Sequence, residues 1–310
     1  MDYFDLHCDT ATECWKRGCG LRENGLHVSL ERAGKYGRWA QVFAVWIPEG
    51  VRGGEAYRYF CGAAAFFARE MEKNRGQIAF CRTGRDLREA VRAPGKAALL
   101  SIEGGAALDG KLEHLRDAYR LGVRMMTLTW NGRCELGDGC MVPDARGLTP
   151  FGFEAVREME RLGMVVDVSH LSEKGFWDVA RVATRPFVAS HSDSRAVRGH
   201  PRNLTDDQFR ELVCVGGLAG INLHRDFLRG DGASLDDALG HVAHFLELGG
   251  RKTIAVGADF DGGILPKGVR GVQDMDRFYA LIRDSFGAET ADDIFWRNAL
   301  NFFSRLSPAA

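Results

Sequence analysis

The stretch FDLHCDT, residues 4–10, is an apolar run that ends in a histidine and an aspartate one residue apart. Alternate residues of a strand project to the same face, so a strand here would place His7 and Asp9 side by side. An imidazole beside a carboxylate is half of a metal site. Because His-x-Asp pairs also arise by chance, the rest of the chain has to supply the other half.

Similar short apolar runs recur along the chain, and amphipathic stretches separate most of them. The runs are YFDLHCD, WAQVFAVW, KAALLSIEGG, VRMMTLTW, GMVVDVSH, PFVASHSD, GGLAGINLH and KTIAVGADFDG. Runs of this kind, bounded by turn residues, are typical of buried strands, and their alternation with helices predicts a parallel sheet. About eight such units fit an α/β fold of the (β/α)8 TIM-barrel type, with residues 1–310 as a single domain.

A doubly wound open sheet is the alternative fold. That fold usually carries a glycine-rich phosphate loop after its first strand, whereas here the first run is followed by TATECWKRG. The absence of G-x-G-x-x-G favours the barrel. Among the amphipathic stretches, LTPFGFEAVREMERLG predicts a helix with Thr149 as its N-cap and Pro150 at its first position.

Composition limits the class of protein. The net charge is -1, with 45% hydrophobic and 27% charged residues, so no charge excess indicates a nucleic-acid or anionic membrane partner. No apolar run approaches the roughly 20 residues that span a bilayer. The acidic start, MDYFDLHCDT, is unlike a signal peptide, and the eight cysteines include no C-x-x-C pair. We therefore expect a cytoplasmic protein with reduced thiols.

Acidic and histidine side chains appear where most of the predicted strands end. These residues are His7, Asp9, Glu103, His170, His191 and Asp259. In a barrel of this type the active site lies at the carboxyl ends of the strands, so the six side chains are expected to converge. Taken singly, each is more often a hydrogen-bonded histidine or a helix-capping aspartate. Their common position at strand ends favours the metal site.

The number of these side chains exceeds what one tetrahedral zinc ion needs. Three histidines with two or three carboxylates suit two metal ions that share a bridging carboxylate. Zn²⁺ fits such a set, and so do Mn²⁺, Fe²⁺ and Co²⁺. Asp259 shares a strand face with small residues and is placed to move a proton between water and a leaving amine. Asp261 is expected to support the site or to cap a helix.

The sequence resembles the membrane (renal) dipeptidase family, peptidase family M19, within the amidohydrolase superfamily. The resemblance rests on DLHCDT, SIEGG, MMTLTWNG, GLAGINL and VGADFDG, and on two long blocks at residues 147–172 and 190–207. It covers nearly the whole chain. It implies a zinc-dependent dipeptidase that acts on small dipeptides, often with a D-residue at the C-terminal position, through a metal-bridging hydroxide.

The resemblance also implies a role for each matching residue. His7 and Asp9 would bind one zinc ion, His170 and His191 the other, and Glu103 would bridge the two. Asp259 would be the catalytic acid and base. Arg202, in GHPRNL, would hold the C-terminal carboxylate of the substrate, for which a guanidinium group is well suited.

Two positions depart from the family pattern. Trp130 follows TLT where the renal enzyme has a histidine that contacts the scissile group, and His224 lies where the family often has a tyrosine. An indole can donate but not accept a hydrogen bond, and it would narrow the pocket, so Trp130 bears on substrate choice. We expect the polar loop at residues 132–147 to cover the site. The renal enzyme is a homodimer, but no exposed stripe in this sequence requires one.

Two other functions compete with the dipeptidase hypothesis. The first is a different hydrolysis on the same binuclear site, of a lactone, a cyclic amide or an N-acyl amino acid, and Trp130 is its main support. The second is a binding module that keeps the fold without catalysis. The presence of every expected ligand type disfavours the second.

Overall fold

The computed structural model describes residues 1–92 and 94–306, and within these ranges nine parallel strands form one sheet. The strands are β1 Tyr3–Cys8, β2 Trp39–Trp46, β3 Ala79–Phe80, β4 Lys96–Glu103, β5 Val123–Thr127, β6 Val165–Asp167, β7 Val188–Ala189, β8 Leu218–Ile221 and β9 Ile254–Val256. Their order is β2-β1-β9-β8-β7-β6-β5-β4-β3, and β2 also pairs with β4. Eight of the described strands therefore close into a barrel, which confirms the predicted fold.

The eight apolar runs of the sequence correspond to the eight strands of the closed ring. The ninth strand, β3, was not predicted, because its two residues, Ala79 and Phe80, are too few to show a pattern. They pair with Ala97 and Ala98 at the start of β4, outside the ring.

Helices connect most of the strands and surround the barrel. They are α1 Thr10–Arg17, α2 Gly53–Lys73, α3 Gly84–Ala90, α4 Leu112–Leu121, α5 Pro150–Leu162, α6 Glu173–Val182, α7 Asp206–Val215, α8 Arg225–Leu228, α9 Leu235–Glu247, α10 Met275–Phe286, α11 Ala288–Asp292 and α12 Asn298–Phe303. The predicted cap of α5 is present, since the Thr149 hydroxyl accepts a 3.0 Å hydrogen bond from the Gly152 N–H. None of the helices in the described ranges has the length and apolar character that crossing a bilayer requires.

The barrel interior is filled below the carboxyl ends of the strands. One buried apolar cluster takes residues from every strand of the ring, so it marks the interior face. On β4 this face carries Ala97 and Leu99, and Glu103 lies on the same face four residues further on. Trp296 and Phe303, near the end of the chain, pack against the same cluster.

A bulge in β1 directs the histidine and aspartate of FDLHCDT into the barrel. Phe4 and Leu6 belong to the interior cluster, so strict alternation would turn His7 away from it. The pairing of β1 with β2 shifts between Asp5 and Cys8. These two residues are three positions apart on β1, but their partners on β2, Gln41 and Phe43, are only two positions apart. An extra residue reverses the faces beyond it, and His7 therefore joins the interior side.

Asp5 stabilises this bulge and also the contact between β1 and β9 that closes the barrel. Its carboxylate is fully buried and accepts hydrogen bonds of 3.0 Å from the backbone N–H groups of His7 and Ala258. It also accepts a hydrogen bond from the Tyr3 hydroxyl. Strands β1 and β9 pair in one register, Asp5 with Val256, and one isolated bridge between Cys8 and Phe260 follows. The side chain therefore supplements a short backbone ladder at the point where the barrel closes.

We expect Asp5→Ala to lower the free energy of unfolding by about 2–5 kcal/mol, because two buried backbone N–H groups lose their acceptor. Tyr3→Phe keeps that acceptor and should cost about 1 kcal/mol. Urea unfolding followed by circular dichroism measures both. Equal costs for the two variants would contradict the role assigned to the Asp5 carboxylate.

Candidate metal centre and active site

A cavity of about 310 Å³ opens at the carboxyl ends of the strands, where the sequence predicts the active site. Its lining combines acidic, histidine and aromatic side chains. The lining residues are Asp9, Glu13, Trp46, Glu103, Trp130, Asn131, His170, His224, Phe227, Asp259, Asp261 and Gly262.

Glu103 lies at the centre of the predicted ligand set. Its Oε2 is 3.6 Å from Nε2 of His7. Its Oε1 is 2.9 Å from Nε2 of His170 and 3.3 Å from Nε2 of His191. The two oxygens of one carboxylate thus contact different groups of imidazoles, which is the arrangement that a bridging ligand needs.

The five predicted metal-binding residues and Asp259 form overlapping groups around Glu103. Within each group the potential ligand atoms lie within 4.8 Å of one another. The groups are His7, Asp9 and Glu103; Glu103, His170 and His191; and His7, His191 and Asp259.

Several polar atoms of this cluster have no hydrogen-bond partner. Within the described ranges, both ring nitrogens of His7 and Oδ1 of Asp9 are buried and form no hydrogen bond, although Nε2 of His7 lies 3.4 Å from Oδ2 of Asp9. Buried polar atoms are costly unless something satisfies them, and a divalent cation satisfies imidazole nitrogen and carboxylate oxygen together. The residues present therefore fit one or two divalent cations.

Burial and repulsion from neighbouring carboxylates raise the pKa values of Asp9 and Asp259. Burial and the charge of Glu103 raise the pKa of Asp9 to about 7, against the opposing effect of His7. Burial also raises the pKa of Asp259 to about 6, where His7 opposes the shift and Glu103 adds to it. Carboxylates crowded in this way gain from added positive charge, which is a further sign of a cation site.

Neighbouring side chains hold the two histidines beside Glu103. Nδ1 of His170 is 2.8 Å from Oδ1 of Asn131, and Nδ1 of His191 is 2.7 Å from the Ser190 hydroxyl. Their Nε2 atoms lie 3.0 Å apart. A hydrogen bond at one ring nitrogen orients the other toward a metal ion. Neither Asn131 nor Ser190 was predicted, although each is the neighbour of a residue that was.

Asp259 is oriented by Asn222, which the sequence pattern does not predict. Its Oδ2 accepts a 3.1 Å hydrogen bond from Asn222, and its Oδ1 lies 3.9 Å from Nε2 of His7. The backbone of Asp259 has φ of 58°, and that of His170 has φ of 64°. Such left-handed conformations are uncommon outside glycine and concentrate at functional sites.

Arg202 lies beside His191 and is buried. Its guanidinium donates to the Ser192 hydroxyl at 2.7 Å and to the His191 carbonyl at 2.8 Å. Its Nε is buried and has no acceptor among the described residues. The guanidinium carbon is 5.6 Å from the ring centroid of Phe227, which lines the cavity.

Trp130 lines the cavity, as its position in the sequence predicts. Its ring meets Trp46 edge to face, with centroids 5.2 Å apart, and its centroid lies 6.1 Å from that of His170. The two indoles form an aromatic wall beside the candidate ligands.

Asp261 and the loop at residues 132–147 were also expected to contribute to the site. Asp261 lies outside the candidate ligand groups and accepts hydrogen bonds from the Thr10 hydroxyl and the His27 N–H, so it supports the fold around the site. The loop at residues 132–147 contributes Cys140 and Asp144 to a neighbouring groove, and the cavity wall is formed instead by Trp130 and Asn131 just before the loop.

Comparison with known proteins agrees with this geometry. The family model described as membrane dipeptidase (peptidase family M19) matches residues 1–309. A protein of Klebsiella pneumoniae named only by its position in the pqqA 5' region is 34% identical over 237 residues, covering 73% of this chain and 88% of its own. An uncharacterized dipeptidase of Schizosaccharomyces pombe is 36% identical over 219 residues, which are 68% of this chain and 52% of that protein. The matched region is thus about half of the yeast protein.

Solved structures share the fold along nearly the entire chain. A metallopeptidase of Rhodobacter sphaeroides, crystallised with a phosphinate mimic of the dipeptide L-Ala-D-Ala, has a TM-score of 0.92 and 26% identity, with 99% of each chain covered. An M19 metallopeptidase named dipeptidase AC has a TM-score of 0.92 and 27% identity, covering 99% of this chain and 98% of its own.

Gly262 provides a test of the metal centre that substitutes none of the candidate ligand residues. A Cβ at this position would lie 2.3 Å from Oδ1 of Asp259 and from Oδ2 of Asp9, so both carboxylates would have to move. We expect Gly262→Ala to weaken the binding of a divalent cation, with Zn²⁺ as the probe, by about 10- to 100-fold. Competition with a chromogenic chelator measures the affinity. Gly25→Ala is the control, because its Cβ would have nothing within 4 Å; equal zinc affinity in both variants would contradict the assignment.

Proposed function

This chain belongs to the membrane dipeptidase family, peptidase family M19, and is a hydrolase of peptide bonds; on that premise we propose that it is a zinc-dependent dipeptidase. The main support for the proposal is the position of Glu103. One of its carboxylate oxygens contacts His7, and the other contacts His170 and His191. The substrates are small dipeptides, including those with a D-residue at the C-terminal position.

The ligand assignment follows the contacts around Glu103. His7 and Asp9 would hold one zinc ion, His170 and His191 would hold the second, and Glu103 would bridge them. Imidazole and carboxylate ligands together suit zinc, while Mn²⁺, Fe²⁺ and Co²⁺ remain chemically compatible. Metal ions bound there would supply Lewis-acid polarisation of the scissile carbonyl and would lower the pKa of bound water.

Asp259 is the proposed acid and base. It lines the cavity beside His7, and burial raises the pKa of its carboxyl group to about 6. A carboxyl group at this position can accept a proton from water and return one to a leaving amine. The hydrogen bond from Asn222 to Oδ2 fixes the side chain while Oδ1 stays available on the His7 side.

The shape and polarity of the cavity support a dipeptide substrate. A cavity of about 310 Å³ is large enough for a small ligand such as a dipeptide. Arg202 is the proposed partner of the free carboxylate, and Trp130 with Trp46 would contact a substrate side chain. The M19 neighbour that binds a mimic of L-Ala-D-Ala supports acceptance of a D-residue.

The first experiment is amino-acid release from a panel of L-Xaa-L-Xaa and L-Xaa-D-Xaa dipeptides. We expect the zinc-loaded protein to cleave them and both chelated protein and Glu103→Gln to be inactive, because the amide cannot carry the bridging charge. Glu113→Gln, on the exposed surface of α4, is the matched control. Bound zinc without cleavage of any dipeptide would reject the proposal and would favour the lactone, cyclic-amide or N-acyl amino acid alternative.

For Asp259→Asn we expect kcat to fall by about 100- to 10,000-fold with KM changed only a few-fold, because the variant loses proton transfer but not substrate contacts. Steady-state kinetics should be paired with measurement of zinc per chain. Loss of zinc together with activity would instead make Asp259 a metal ligand and would contradict the acid–base role.

A further inference from the structure

Helix α1 ends in a turn that brings two cysteines together. Gly18 follows the helix in the left-handed conformation, with φ of 66°. The Cys19 N–H donates to the Cys14 carbonyl at 3.0 Å, and the Gly18 N–H donates to the Trp15 carbonyl at 3.4 Å. This pair of hydrogen bonds defines a Schellman motif, in which the first and last side chains of the turn contact each other. Here these two side chains are the thiols of Cys14 and Cys19.

The backbone of this turn meets the distance requirement of a disulfide. The 3.0 Å hydrogen bond joins atoms of the two cysteines themselves, so their Cα atoms lie within about 7 Å of each other. Disulfides span Cα separations of roughly 4.4–6.8 Å. The thiols also interact directly: burial raises the pKa of Cys14, and a hydrogen bond and charge repulsion from Cys19 raise it further. Both are free thiols in this structure, so the turn holds a reduced pair.

The hydrogen bonds around Cys14 allow the loss of its proton. Its thiol donates to the Gly20 carbonyl at 3.5 Å, and that carbonyl also accepts a 3.0 Å hydrogen bond from the Asn24 side-chain amide. The same amide donates to the Cys14 sulfur at 3.6 Å. After oxidation the Gly20 carbonyl would still accept from Asn24, so the loss of the thiol proton would leave no buried acceptor unpaired there.

The two thiols differ in their access to solvent. Cys14 is buried, whereas Cys19 is partly exposed. A buried thiol with a raised pKa carries little thiolate, and the thiolate is the nucleophile in disulfide exchange. The thiol of Cys19 is therefore the one that a dissolved oxidant meets first, and Cys14 is the resolving cysteine.

We propose that Cys14 and Cys19 form a redox-active dithiol that a low-molecular-weight disulfide, such as oxidised glutathione, converts reversibly to an intramolecular disulfide. The Cys19 thiolate attacks one sulfur of the oxidant and releases one glutathione thiolate. The Cys14 thiol then gives its proton to water, and its sulfur attacks the Cys19 sulfur of the mixed disulfide and releases the second glutathione. Two protein thiols are oxidised and one glutathione disulfide is reduced to two thiols, so the exchange balances.

This modification site is separate from the candidate metal centre and does not depend on the proposed hydrolysis. Helix α1 begins directly after Asp9, and Glu13, the neighbour of Cys14, lines the cavity. A disulfide would tie the end of this helix to the segment that follows it without using any candidate ligand. Its formation can therefore be tested without a substrate.

The experiment equilibrates the folded chain with glutathione buffers of defined redox ratio, blocks the remaining thiols and maps tryptic peptides by mass spectrometry. Trypsin cleaves after Lys16 and Arg17, between the two cysteines, so the expected disulfide links two peptides that a reducing agent separates. Cys214→Ser is the background, because Cys214 is exposed and would itself form a mixed disulfide. We expect the linked form to be favoured at least about tenfold over the same chain in urea, because the folded turn holds the two sulfurs together.

Single variants identify the two partners. Cys14→Ser should lose the linked peptides and stop at the mixed disulfide on Cys19, and Cys19→Ser should lose both products. Cys61→Ser is the matched control, since Cys61 is also partly exposed but its thiol contacts the Tyr57 hydroxyl. This control should keep the linked peptides.

Three results would overturn the proposal. Absence of linked peptides from the folded chain, at a redox ratio at which Cys214 of the parent chain becomes glutathionylated, would show that the turn holds no redox-active pair. Equal amounts of the linked form in the folded and the urea-unfolded chain would show that the folded turn contributes nothing to it. Loss of the linked peptides in Cys61→Ser would assign the disulfide to another pair.

Discussion

The burial of several carboxylates and imidazoles around Glu103 is the constraint on which the rest of the site depends. Taking charged groups out of water is costly unless opposite charge compensates them. His7 alone touches three carboxylates, those of Asp9, Glu103 and Asp259, and both its ring nitrogens lack hydrogen-bond partners within the described ranges. Divalent cations would compensate the charges of such a cluster, so metal binding would couple to local stability.

Buried aspartates hold the site residues in position by joining neighbouring strands near the mouth of the barrel. Asp5 accepts from the backbone of Ala258, and Asp167 accepts from that of Ser190. Asp193 accepts from the Asn222 N–H, and Asn222 in turn holds Asp259. Strands β6, β7 and β9 contain only two or three residues, so side chains replace part of the backbone ladder there. The same bonds that close the barrel also position the site.

Much of the fold and of the candidate ligand set can be predicted from sequence because both depend on local pattern. Apolar runs mark the eight strands of the ring, and polar residues at their ends mark the mouth. The bulge that turns His7 inward could not be predicted, since it depends on the register between β1 and β2. The partnership of Asn131 with His170, and of Asn222 with Asp259, requires distances between segments far apart in sequence.

The position of β1 between β2 and β9 has a consequence for the order of events during synthesis. The first candidate ligand of the chain, His7, emerges from the ribosome more than two hundred residues before Asp259. The carboxylate of Asp5 finds its second backbone donor only at Ala258. Until the residues of β9 have been made, the chain lacks Asp259 as a partner for His7 and cannot close the barrel. The complete set of candidate ligands therefore forms only when β9 lies beside β1, which joins residues from the two ends of the fold.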